Sequence, residues 1–207
     1  RVNATFFYED IKDMQLQFND PGFNVILANA GDAYVYGAEV EGAFRPIAGL
    51  DITAGFGYTH ERLDEAINPT NGIDEKSNRH FEYSPTYNWN ASVRYAFPPL
   101  QVGNLVGRVD YRGSSAVGFN SSISDDKIVG QSSYGVFDAR LALNDMGVDW
   151  IGGTFDLALI GRNLADKSYK NGGYTFGVDP VYRWATNTYG DPRTYAAEVT
   201  WRWGSQQ

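Results

Sequence analysis

The residues best equipped for chemistry in this 207-residue chain are arginines at alternate positions of extended-looking segments. Arg94, Arg108, Arg112, Arg140, Arg162 and Arg202 share the polar parity of those segments, interleaved with Asp110, Asp138, Asp156 and Glu198. A guanidinium is a planar fork that grips a carboxylate or phosphate through two parallel bonds. Arg112 and Arg162 come late in their segments, near one common end, and are candidate holders of an anionic ligand. The remaining charges suit cross-strand ion pairs. A second set of candidates is aromatic. The stretch 166–191 carries Tyr174, Phe176, Tyr182 and Trp184, while Phe81 and Tyr83 lie at the exit of 63–82. Flat rings with polar tips stack on sugars, catechols and planar cofactors. They pack loops against one another equally well.

Catalysis lacks its parts. The chain has no cysteine, which removes thiolate nucleophiles, thiolate metal sites and disulfides. The two histidines, His60 and His80, flank 63–82, with no nucleophile and orienting acid spaced to serve either. Gly130-Gln131-Ser132-Ser133-Tyr134-Gly135 misses the G-x-S-x-G elbow, and Gly55-Phe56-Gly57 lacks the third glycine of a dinucleotide loop. Asp64, Glu65, Asp74, Glu75 and His80 match no ordered calcium loop and read as a solvated acidic connection. No catalytic residue, metal site or cofactor is therefore expected. With 17 Lys+Arg against 25 Asp+Glu, the net charge of −8 argues against a nucleic-acid partner.

The elements that must position these groups are strands. Leu50, Ile52, Ala54, Phe56 and Tyr58 alternate with Asp51, Thr53, Gly55 and Gly57, a period of 2 with one apolar face. The same alternation recurs to the last segment, where Tyr195, Ala197, Val199, Trp201 and Trp203 share a face. Eight strands are predicted, over 3–18, 24–45, 50–62, 83–97, 103–117, 132–143, 153–165 and 192–203, and no helix. Short connections near 46–49, 98–102 and 144–152 alternate with long polar ones over 63–82, 118–131 and 166–191.

The longest unbroken apolar run is four residues, too short for a membrane-spanning helix. Strands of this length, with short turns at one end and long loops at the other, fit a transmembrane barrel better than a soluble sandwich. Phe44, Tyr58, Phe97, Tyr111, Tyr195, Trp201 and Trp203, near strand ends, are the expected aromatic girdle against outer-membrane lipid. The fold class is thus all-β, an antiparallel transmembrane barrel segment over 1–203, with a polar tail at 204–207.

Five motifs then carry a resemblance. Asn29-Ala30-Gly31-Asp32-Ala33-Tyr34-Val35-Tyr36-Gly37-Ala38-Glu39-Val40-Glu41 resembles the NAG-x-A-x-x-x-G-x-E-x-E strand of TonB-dependent receptors, and Gly49 to Thr59 resembles the strand that follows it. Pro85 with Asn90 to Tyr95, Gly161-Arg162-Asn163-Leu164-Ala165-Asp166-Lys167-Ser168-Tyr169, and Gly190-Asp191-Pro192-Arg193-Thr194-Tyr195 are similar to three further elements, in the family's order. The resemblance implies the last eight strands of a 22-stranded barrel in the bacterial outer membrane. It also implies partners: the other barrel strands, a plug domain, the TonB complex reached through a segment upstream, and a small-molecule ligand. The expected activity is uptake of a siderophore, vitamin, haem or oligosaccharide. The alternative is a self-contained eight-stranded barrel with an adhesive or structural role.

Overall fold

The computed structural model describes residues 1–19, 25–147, 152–178 and 182–203. The strands are β1 (Val2–Asn19), β2 (Val25–Ile47), β3 (Leu50–Ala66), β4 (Tyr87–Ala96), β5 (Asn104–Ser114), β6 (Tyr134–Gly147), β7 (Thr154–Arg162), β8 (Lys170–Val178), β9 (Tyr182–Tyr189) and β10 (Thr194–Arg202). Eight of them form one sheet in the order β1-β2-β3-β4-β5-β6-β7-β10, and every pairing is antiparallel. These are the eight predicted strands. The sheet is not closed, because β1 and β10 lie at its opposite edges. The self-contained eight-stranded barrel is therefore not what this chain forms.

Register shows why alternation fixes the sheet. Ile52, Val93, Val109, Ala139, Gly161 and Tyr195 face one another in turn across six strands. Slipping any strand by one residue would turn its apolar row to the polar side. Buried hydrophobic residues are few. The apolar face instead stands open, with Phe6 at 80% exposure and Leu159 at 56%. Such a face needs a further apolar layer or lipid to cover it.

The polar face is ordered by charge. Arg94, Arg108 and Arg140 are direct cross-strand neighbours. Like charges in that relation repel. Each is answered by an acid: Arg94 reaches Asp51 at 3.2 Å, Arg108 binds Asp110 through bonds of 2.7–2.9 Å, and Arg140 meets Glu198 at 3.2 Å.

Two elements depart from expectation. The stretch 166–191 is largely the hairpin β8–β9, a separate two-stranded sheet. The connection 118–131 contains a helix, α1 (Ile123–Val129). Ser122 stands extended at its N-cap, Asp125 and Asp126 sit in the first turn, Lys127 in the last, and Gly130 follows, all favourable for a helix of that direction. The tail 204–207 lies outside the described residues.

Candidate ligand-binding cleft

The long connections gather at one end of the sheet and are tied together there by polar groups. In the 67–86 connection, the Asp74 carboxylate accepts the Lys76 and Ala66 amides, both at 3.1 Å. Those bonds, the Lys76 amide foremost, hold Asp74 below the usual carboxylate range. Glu75 takes the Arg79 guanidinium at 2.8 Å, and the same guanidinium donates to the Gln17 carbonyl at 2.9 Å and lies 4.3 Å from the Phe18 ring centre. Phe18, Leu16 and Ala66 make a small buried cluster beneath it. His80 Nε2 meets the Asp126 carboxylate on α1, whose other oxygen accepts the Phe119 and Asn120 amides at 2.8 and 3.0 Å. The β8–β9 hairpin is tied in by Lys170, whose amide donates to Gln131 Oε1 at 2.6 Å and whose Nζ donates to the Ile128 carbonyl at 3.1 Å.

Between these pieces lies a cleft of about 440 Å³. Its walls include Tyr83, Phe119, Asn120, Tyr174, Thr186 and Thr188. Tyr83 has φ +58, unusual for a bulky residue, and its amide donates to the Gly118 carbonyl at 2.8 Å. Its ring lies 5.3 Å from Phe119.

Tyr83 and Tyr174 are the two sequence candidates that line this cleft. Phe81 is half-buried, and its carbonyl meets His80 Nδ1 at 2.8 Å, but it is not part of the wall. Phe176 and Trp184 face each other across the hairpin with ring centres 5.3 Å apart, exposed and away from the cleft. Tyr182 opens β9, and its side chain lies outside the described residues. Arg112 is taken by Asp138 at 2.6 Å and lines a separate hollow on the polar face. Arg162 is exposed and, among the described residues, has no hydrogen-bond or ion-pair partner. The candidate metal ligands of the 63–82 region are engaged separately: Asp64 with Arg62, Asp74 with Lys76, Glu75 with Arg79, and His80 with Asp126 on α1.

The seven girdle candidates share the apolar parity. Phe44, Phe97, Tyr195, Trp201 and Trp203 are exposed, while Tyr58 and Tyr111 are half-buried by neighbouring rings, Tyr87 at 5.4 Å and Phe137 at 4.4 Å.

Sequence reasoning missed Phe119, Asn120, Thr186 and Thr188, which carry no motif. Two of the sequence motifs, 161–169 and 190–195, meet in the structure. The buried Asn163 side chain donates to the Lys167 and Asp191 carbonyls at 2.9 and 3.0 Å and accepts the Lys167 amide at 2.9 Å. Asp166 accepts the Arg193 amide at 3.0 Å. Tyr169 stacks on Tyr134 at 4.7 Å, and a Cβ at Gly190 would run into the Tyr169 ring. The two motifs thus form one knot that returns the chain from the hairpin to β10.

Comparison with known proteins places this architecture. The family model described as "TonB dependent receptor-like, beta-barrel" matches residues 1–164. The ferric yersiniabactin uptake receptor FyuA of Yersinia pestis superposes with a TM-score of 0.71 at 21% identity, over 96% of this chain and 27% of that one. The siderophore receptor PiuA of Acinetobacter baumannii gives 0.65 at 19%, over 96% and 25%. The FrpB iron transporter of Neisseria meningitidis gives 0.59 at 19%, over 96% and 28%. The chain thus spans about a quarter of the length of these structures, and at such identities the likeness is one of fold.

Proposed function

The chain belongs to the TonB-dependent receptor β-barrel family, and on that premise we propose that it forms part of the wall and outer mouth of an importer in the Gram-negative outer membrane. The observation that carries this reading is the asymmetry of the sheet. One face is apolar and aromatic, the other carries paired charges, and the long connections close over a cleft at one end. β4, at about 3.3 Å per residue and ~40° of tilt, covers about 23 Å of depth, close to the apolar band of an outer-membrane barrel. The aromatic rings at its two ends are the girdle. Within a full barrel every strand edge is paired, which is what allows a sheet to stand in lipid.

In this reading the cleft takes the ligand, and Tyr83 and Tyr174 contact it. The polar face lines the lumen, where Arg162 is available to an acidic group of the plug. Energy reaches the plug through TonB, and the wall described here does no covalent chemistry. The relatives named above import siderophores or iron by their printed descriptions, so a scarce nutrient is the expected cargo. Deleting the gene should abolish energy-dependent uptake of one nutrient, and complementation should restore it only in cells with functional TonB. Uptake that persists without TonB would contradict the reading.

A further inference from the structure

The apolar face of the sheet is not evenly filled. Gly107, Ala139 and Gly161 bring small residues onto the neighbouring strands β5, β6 and β7. Ala139 faces Gly161 directly, and Gly107 faces Leu141. Larger side chains stand around these positions. Tyr95 and Phe97, edge to face with ring centres 4.6 Å apart, close one end. Leu164 and Tyr195 close the other, and Leu164 is folded so far over Gly161 that a Cβ there would strike it. Between them lies an apolar hollow of about 530 Å³ that no described side chain fills. It crosses from β4 to β10, four inter-strand steps of about 4.8 Å, or roughly 19 Å. In a larger barrel, further strands would join at the β1 and β10 edges, so β4 to β7, which floor the hollow, keep their neighbours.

A hollow on this face is filled by whatever covers the face, and in the importer reading that is lipid. Its length exceeds half of a hydrocarbon core about 30 Å thick, the span of one leaflet. Spread over that length, its volume leaves a bore on the order of 30 Å², against roughly 80 Å² for a helix about 10 Å across. One extended hydrocarbon chain fits, and a helix does not. The two ends differ in charge. The connection from Pro98 to Val102, beyond Phe97, carries no charged residue. At the other end, where β7 leaves for the long outer connection and β10 returns from it, Arg193 precedes Tyr195 by two residues and shares its parity. The Arg193 guanidinium is 44% exposed, donates to the Leu164 carbonyl at 3.4 Å and stands 3.9 Å from the Asp166 carboxylate. A fork of five N–H groups so placed has donors left for a phosphate. We propose that the hollow seats one acyl chain of a phosphorylated, multiply acylated outer-leaflet lipid whose headgroup meets Arg193. The proposal rests on the importer reading for the lipid that surrounds the sheet.

The test uses the full-length receptor, purified in detergent and stripped of lipid, titrated with lipid A and followed by native mass spectrometry. One tightly held molecule is expected. Gly107→Leu fills the hollow at a position where a Cβ meets nothing closer than 3.7 Å, and it should weaken that binding roughly tenfold. Arg193→Gln should weaken it roughly three- to tenfold and lessen its salt dependence. Gly42→Leu adds the same bulk at another open position of the apolar face and should leave binding within about twofold. A melting temperature kept by the three variants excludes misfolding as the cause. Lipid A binding that ignores both Gly107→Leu and Arg193→Gln would overturn the proposal. So would equal binding of an uncharged diacylglycerol, which has no phosphate for Arg193. A receptor dimer that dissociates in Gly107→Leu would also overturn it, by assigning the hollow to a second copy of the chain. If TonB-dependent uptake persists while the variants bind lipid A unchanged, the lipid seat fails and the importer reading survives. If no TonB-dependent uptake exists yet lipid A binds and the variants weaken it, the importer reading fails and the seat stands.

Discussion

Asn163 shows how much one residue can carry. Its φ is +47, a region that asparagine tolerates better than most residues, and its buried amide closes a turn through three side-chain bonds. Asn163→Ala removes those bonds and strands carbonyls and an amide, so a loss of about 2–3 kcal/mol is expected by chemical denaturation of the refolded receptor. The exposed pair Arg108–Asp110 behaves differently. Its geometry is bidentate, yet both side chains are well over a third solvent-accessible or close to it, at 53% and 35%. Asp110→Asn should therefore cost at most about 1 kcal/mol in the same assay. A larger loss for Asp110→Asn than for Asn163→Ala would reverse this ranking. The motif around Asn163 was visible in the sequence, and Asp110 was visible as a charge of the polar parity. What was not visible is that Asn163 reaches Asp191, since nothing local encodes a contact across 28 positions.

Elements were legible in proportion to their regularity. Seven of the eight sheet strands announced themselves because sustained period-2 alternation has no competing helical reading, while β1, whose register shifts near Met14, is less regular. The helix α1 has seven residues, under two turns, too few to display a 3.6 period, although its capping and flanking residues were the available signal. The hairpin β8–β9 alternates as well, with Tyr174, Phe176 and Val178 against Thr175 and Gly177. It was obscured by the expectation that a long outer connection is irregular. Asp74 gives the 67–86 connection a pH dependence of definite sign. Its folded pKa is depressed, so its contribution is fully present above the ordinary carboxylate value and is lost as pH falls through the lower, folded value. Protection of the Ala66 and Lys76 amides from hydrogen exchange should fall on acidification below the ordinary carboxylate range. Asp74→Asn should show the reduced protection at every pH. Protection that rises on acidification would contradict the assignment.

At the scale of the whole molecule, the sheet has two free edges and an uncovered apolar face. In the proposed reading these features are resolved by a larger barrel surrounded by lipid. The cleft could not have been read from the sequence, because its wall joins residues from 79–83, 119–122, 172–175 and 186–188, whose only common property is where the strands deliver them. This chain has no native cysteine, so a single cysteine placed in it is the one labelling site within it, and its signal is read against the full-length receptor that lacks the substitution. Single cysteines at Asn71, in a long connection, and at Ala48, in a short turn, would be challenged with a membrane-impermeant maleimide on intact cells. The account predicts that Asn71→Cys reacts at once and that Ala48→Cys reacts only after the outer membrane is opened. Labelling of Ala48→Cys in intact cells while Asn71→Cys stays protected would contradict the orientation, and with it the placement of the cleft at the outer mouth.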